Sequence, residues 1–175
     1  MRTALITGAT SGIGKATAKL LAAQNYRLIL CGRRKEILEE LTKELSNYTE
    51  VFSLNFDVSS NKEVSAAFKT LPKEWQEIDV LINSAGNAHG LEPLSEGNVE
   101  DWDAMIDGNV KGLLYVSKEV IPQMKKRNSG HLVNISYVAA NQTYANDVVY
   151  FASKKAVDVI SEGMRLELTE FNVKV

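Results

Sequence analysis

The most constraining feature of this chain is an alternation. Short, β-rich apolar runs are separated by longer stretches of helical pattern, and glycines follow the first run directly. The strand candidates are Thr3–Thr7, Arg27–Cys31, Val51–Asn55, Val80–Asn83 and Leu132–Ser136. Helical stretches cover Ile13–Gln24, Lys35–Leu45, Lys62–Leu71, a long segment near Val99–Lys126, and about Val149 to Phe171. Strand, helix, strand, helix is the pattern of a parallel sheet covered on both faces. The strands are near-continuous apolar runs, as burial on both faces requires.

Right-handed crossovers then give an α/β fold, a doubly wound parallel sheet of the Rossmann-like kind. The 175 residues suit one domain over residues 1–175. No linker, repeat or low-complexity segment divides it. Pro122, late in the long helix, is expected to bend or end it. The final "NVKV" reads as the opening of a sixth strand, so the expectation is a chain truncated within that strand.

Composition narrows the function. An apolar fraction of 45% and a charged fraction of 24% are ordinary for a globular protein. The net charge of -2 gives no surplus for nucleic acid. The basic run Lys125-Lys126-Arg127 sits at an expected helix C-terminus, where cations pair with the helix dipole. Cys31 has no cysteine partner and lies in the apolar run "RLILCG", so it reads as a buried strand residue. His89 and His131 are far apart in sequence and lack cysteine partners, so no metal site is expected. No apolar run approaches the ~18 residues that would span a bilayer. The N-terminal "MRTALITGAT" lacks the apolar stretch of a signal peptide. The expected location is cytoplasmic.

The stretch "ALITGATSGIGKATAKLLA" places Gly8, Gly12 and Gly14 after the first strand, where they open a helix. Glycines permit a tight turn and close approach of backbone to a pyrophosphate, and the helix N-terminus attracts its charge. Any strand-to-helix turn can use glycines; strand, glycines, helix and following strand together point to a nucleotide. The second strand runs into Gly32, Arg33 and Arg34. NAD-binding units usually place an acid here for the ribose hydroxyls. Two guanidinium groups instead match a 2′-phosphate, which points to NADP in preference to NAD. The alternative is a pair of arginines capping a surface loop. Asp57 and Val58 are placed to reach the adenine. Asn83, Ala85 and Gly86, in "INSAG", end the fourth strand beside the cofactor, where small residues let it lie close to the backbone.

Taken together, "TGATSGIG", Asp57, "NSAG", Asn109, "HLVNIS" and the Y-x-x-x-K pair Tyr150 and Lys154 resemble the short-chain dehydrogenase/reductase family over the whole chain. The stretches "KEWQEIDVLINSAG" and "VEDWDAMIDGNVKGLLYVSKEVIPQM" look most like the NADP-dependent 3-hydroxy acid (serine) dehydrogenases. The resemblance implies a nicotinamide-dependent oxidoreductase acting on a small hydroxy acid or related secondary alcohol. Thr10, Ser11 and Ile13 would join the three glycines in holding the pyrophosphate side. Tyr150 would be the acid/base. A phenol with a pKa near ~10 is a poor base at neutral pH. Lys154 lies one helical turn on, and its charge is expected to favour the phenolate. By resemblance, Lys154 also bonds the nicotinamide ribose and Asn109 supports a proton relay. The family's habit further implies a homo-oligomer, a dimer or tetramer, in the full-length form. It also places a substrate lid and a further strand after the sixth strand, both expected to be absent here.

One family element does not match. The family carries a serine thirteen residues before the tyrosine, and here that position is Tyr137. Ser136 is one residue off, so on a strand it should face away. Three outcomes stay open: the Tyr137 hydroxyl serves instead, a bulge swings Ser136 into place, or the donor is absent. Ser84, Gly108, Ala140 and Phe151 also depart from the family pattern. The rival expectation is therefore a catalytically impaired NADP-binding paralogue or fragment.

Overall fold

A computed structural model describes residues 1–138 and 145–175. Six parallel strands form one sheet in the order β3-β2-β1-β4-β5-β6. They are β1 (Thr3–Ile6), β2 (Arg27–Gly32), β3 (Val51–Asn55), β4 (Val80–Asn83), β5 (Gly130–Asn134) and β6 (Val173–Lys174). The crossover helices are α1 (Gly12–Ala23), α2 (Lys35–Leu45), α3 (Asn61–Lys69), α4 (Val99–Ile106), α5 (Gly112–Arg127) and α6 (Val148–Leu168). The sheet is parallel and doubly wound, as the alternation implied, and "NVKV" does pair, with Val173 opposite Gly130. Ala140 lies outside the described residues.

The pleat sorts the core into two layers. Ala4, Ile6, Leu28, Leu30 and Ile82 face α1 and α2, where they meet Ala18, Ala22, Leu38 and Leu41. Their neighbours in sequence, Leu5, Ile29, Cys31 and Leu81, face the other way and meet Val64, Val116, Val120 and Met124 of α3 and α5. Successive strand side chains alternate faces, so an unbroken apolar run fills both layers. Cys31 is fully buried, and burial pushes its thiol pKa far up. It is an inert core residue.

Two expectations about helices need correction. Pro122 does not end its helix: α5 runs on to Arg127 and stops at Asn128, which takes a left-handed φ of 50°. Packing of Val116, Val120 and Met124 holds the helix across the missing N–H. The long segment is also not one regular helix. Between α4 and α5 lies a wide π-type turn, Asp107–Lys111. Such turns occur often at functional sites. The basic run ending α5 is partly tied down within the fold. Arg127 pairs with Asp79 at 3.0 Å, and the Lys125 ammonium lies 4.1 Å from the centre of the Phe171 ring.

Among the described residues, no helix is long and apolar enough to cross a membrane.

Candidate active site

The sheet order reverses between β1 and β4, and a crevice opens there, as it must when neighbouring crossovers leave to opposite faces. Thr7 locks this switch point. Its hydroxyl donates to the Ile82 carbonyl at 3.4 Å and accepts from the Ser84 and Ala85 backbone amides, each at 3.1 Å. Gly8 follows with φ of +65°, and a Cβ there would meet the Ala85 Cα at 2.8 Å. Only glycine lets the two strand ends approach this closely. The glycine turn then feeds α1, which opens with Gly12, Ile13 and Gly14. None of these three lines the crevice, and a Cβ on Gly14 would collide with the Gly8 carbonyl oxygen.

The crevice has a volume of about 360 Å³. Gly8, Thr10, Ser11, Arg33, Arg34, Asp57, Val58, Ala85 and Gly86 all line it. Asn83 does not: it is 4% exposed, and its amide donates to Ser117 at 3.1 Å and to Asn134 at 2.9 Å. Its side chain braces β4 against β5 and α5 from inside the core.

At one end, Arg34 is pinned by two hydrogen bonds to the Thr10 hydroxyl, at 3.2 and 2.8 Å. The Arg33 side chain is 67% exposed and reaches Asp57 at a long 3.4 Å. Partial burial works against the Asp57 carboxylate. Hydrogen bonds from the Ser59 amide and hydroxyl, with the Arg33 charge, outweigh it and hold the pKa below its ordinary value. Two guanidinium groups thus stand at the lip, one oriented and one only loosely paired.

The other end holds the residues expected to react. A Cβ on Gly86 would stand 3.0 Å from Asn109 Oδ1 and 3.5 Å from Lys154 Nζ, so Gly86 brings the crevice up against these two side chains. Asn109 sits in the π-type turn and is 2% exposed. Its amide accepts from the Asn87 N–H at 2.7 Å, donates to the Asn87 carbonyl at 2.8 Å, and donates to Ser153 Oγ at 3.0 Å. Ser153, fully buried, donates in turn to the Tyr150 carbonyl at 2.7 Å. Asn109 is therefore linked to Tyr150 through one hydroxyl. Ser153 and Asn87 were not singled out from the sequence. Ser153 had a visible signal, its place directly before Lys154. Asn87 had none, because its partners are remote in sequence.

Lys154 Nζ donates to the Ile135 carbonyl at 3.0 Å and stands 5.9 Å from the centre of the Tyr150 ring. Burial pushes the Lys154 pKa down. Burial also pushes the Tyr150 hydroxyl up, aided by the neighbouring Tyr137 and Asp147. The phenol is thus shifted opposite to the direction expected from the lysine alone: its own desolvation exceeds any help from an ammonium turned to a carbonyl.

Tyr137 and Tyr150 stack in a tilted arrangement with ring centres 5.6 Å apart, and Phe151 closes the cluster at 6.2 Å from Tyr137. Ser136 donates its hydroxyl to the Lys154 carbonyl at 3.1 Å. β5 ends at Asn134, and Ser136 is turned to the backbone of α6.

Comparison with known proteins agrees with this architecture. The short chain dehydrogenase family matches residues 2–175. An NADP-dependent 3-hydroxy acid dehydrogenase of Shigella flexneri is 40% identical over 171 residues, covering 98% of this chain and 68% of that protein. A probable NADP-dependent dehydrogenase of Haemophilus influenzae is 39% identical over 173 residues, 99% of this chain and 68% of that one. The closed form of a serine dehydrogenase complexed with NADP+ superimposes with a TM-score of 0.93 at 40% identity, over 99% of this chain and 69% of that chain. An NAD+-bound xylitol dehydrogenase gives 0.94 at 30% identity, over 99% and 67%. With its sheet order, its crevice at the switch point and this similarity along its length, the chain belongs to the short-chain dehydrogenase family of oxidoreductases.

Proposed function

We propose that the protein is an NADP-dependent oxidoreductase acting on a small hydroxy acid or related secondary alcohol, with Tyr150 as the acid/base. The observation that carries this reading is the meeting of Lys154 Nζ and Asn109 Oδ1 at Gly86, where the glycine-lined crevice ends. Named relatives that are NADP-dependent 3-hydroxy acid dehydrogenases support the substrate class.

The residues fit such a cofactor. Gly8 leaves room where a Cβ would collide, and Arg33 and Arg34 offer forked donors at the crevice lip. Asp57 and Val58 flank the adenine side, and Ser11 with the first amides of α1 faces the pyrophosphate. Bound NADP supplies the hydride acceptor or donor. Tyr150 Oη takes the proton from the substrate hydroxyl in oxidation and returns it in reduction. Lys154, now held by the Ile135 carbonyl, has a charge that favours the phenolate when it faces the phenol. Asn109, fixed by its bonds to Asn87 and Ser153, keeps the π-type turn in register behind the reacting groups.

The substrate oxygen needs a second donor. Ser136 is committed to α6, whereas Tyr137 lies close enough to raise the Tyr150 pKa. In this reading the Tyr137 hydroxyl takes the place of the family's serine. The same Tyr137 stacking supports the rival reading, an impaired NADP-binding paralogue, if the ring blocks the substrate.

The test is a fluorescence titration of the purified chain with NADPH and NADH. Tight NADPH binding with weak NADH binding is expected. Equal affinity for the two removes the phosphate-reading role of Arg33 and Arg34, and binding of neither removes the cofactor reading.

A further inference from the structure

Asn109 is held by a residue that has no assigned part, Asn87. Both backbone groups of Asn87 pair with the Asn109 amide, at 2.7 and 2.8 Å. Its side chain reaches the other way: Nδ2 donates to the Ala104 carbonyl in α4 at 3.1 Å. The side chain thereby fastens the loop after β4 to the helix that leads into the π-type turn. The amide orientation follows, since a flip would turn oxygen toward oxygen. Asn87 Oδ1 is shielded from solvent and has no partner among the described residues. A shielded acceptor without a donor is a standing cost, so space-filling alone would favour an apolar side chain.

Gly108 makes this bracket possible. A Cβ at Gly108 would meet Asn87 Nδ2 at 3.0 Å, tighter than a normal contact. The amide therefore occupies the space that a side chain at position 108 would take. Gly108 directly precedes Asn109 and lies in the π-type turn, where its poor helix propensity is otherwise unexplained.

We infer that Asn87 is a positioning residue for Asn109, and that Gly108 is its obligate partner. The pair works as one device: the Asn87 amide ties the loop to α4, and the missing side chain at 108 gives it room. Its catalytic consequence rests on the role proposed for Asn109, but the device itself does not.

A double-mutant cycle on the whole chain tests it, using Asn87→Ala, Gly108→Ala and both together. Alanine is the better helix former, so Gly108→Ala should raise the melting temperature by about 2–4 °C once Asn87 is alanine. In the presence of Asn87 the same change should give no gain or a loss, because the methyl strikes the amide. Asn87→Asp supplies a second arm, keeping the shape while removing the donor to Ala104. In Asn87→Asp and Asn87→Ala, exchange of the Asn109 side-chain amide protons, followed by NMR, should speed at least about tenfold, with amides of the central strands unchanged. An additive cycle, or unaltered Asn109 protection in both variants, overturns the inference. Turnover unaffected by Asn109→Ala would instead remove the catalytic reading and leave the bracket standing.

Discussion

Ser136 Oγ donates to the Lys154 carbonyl at 3.1 Å, so the serine one residue before the family's serine position is bonded to the backbone of α6. Ser136→Ala should therefore cost stability and little else. Loss of one such bond is worth about 1 kcal/mol, or about 2–4 °C in melting temperature. Turnover should stay within about twofold. A loss of 10²-fold or more would return Ser136 to the substrate site.

Tyr137 stacks beside Tyr150 with ring centres 5.6 Å apart and carries a hydroxyl of its own. Tyr137→Phe should keep the stacked ring and lower turnover by about 10²–10³-fold, the usual cost of one lost donor to a reacting oxygen. Steady-state kinetics with NADPH saturating decide this. Unchanged turnover in Tyr137→Phe, joined by a large gain in Tyr137→Ser, favours the impaired paralogue.

Tyr150→Phe should bind NADPH as tightly as the parent and lose about 10²–10⁴-fold in turnover. In the parent, burial raises the phenol pKa above its ordinary value. Oxidation needs the deprotonated form, so its rate should climb with pH, while reduction, which needs the phenol, should not. Lys154→Met should move the oxidative limb upward by about one unit or more, since a cation that favours phenolate is lost. A limb unmoved in that variant would separate Lys154 from the acid/base.

Arg33→Ala and Arg34→Ala should each weaken NADPH binding by about 10- to 100-fold, since a hydrogen bond to a charged group is worth about 1.5–3 kcal/mol. NADH affinity should not change. Parallel losses for both nucleotides would mean that the arginines shape the loop and do not read the phosphate.

Asp57 gives a stability prediction with a definite sign. Partial burial opposes its charge, but the Ser59 bonds and Arg33 keep the folded pKa below that of the unfolded chain. The unfolded chain thus binds more protons in that window, and stability falls as pH drops through it. Asp57→Asn should lower the melting temperature at pH 7 by no more than about 2 °C, because the pair is largely solvated. The gap to the parent should close below the folded pKa. A gap that persists in acid would point to lost packing in place of lost charge.

The alternation of apolar runs and amphipathic stretches was enough to define the parallel, doubly wound sheet, because that follows from local periodicity and chain handedness. The glycine turn was legible for the same reason: Gly8 and its helix are neighbours in sequence. Tyr150 and Lys154 were legible because one helical turn joins them. What local pattern did not show was which buried polar groups of distant segments pair with one another. The π-type turn at Asn109 lay inside the single helical stretch read near Val99–Lys126. Asn83 was read as a cofactor contact, but its amide turned inward to Ser117 and Asn134, a choice made by groups 34 and 51 residues away. Asn87 and Ser153 became visible only once the loop after β4, the π-type turn and α6 were brought together around Asn109. Short-range order is written in residue spacing, but the pairing of buried polar groups is settled only when distant segments pack and each donor must find an acceptor.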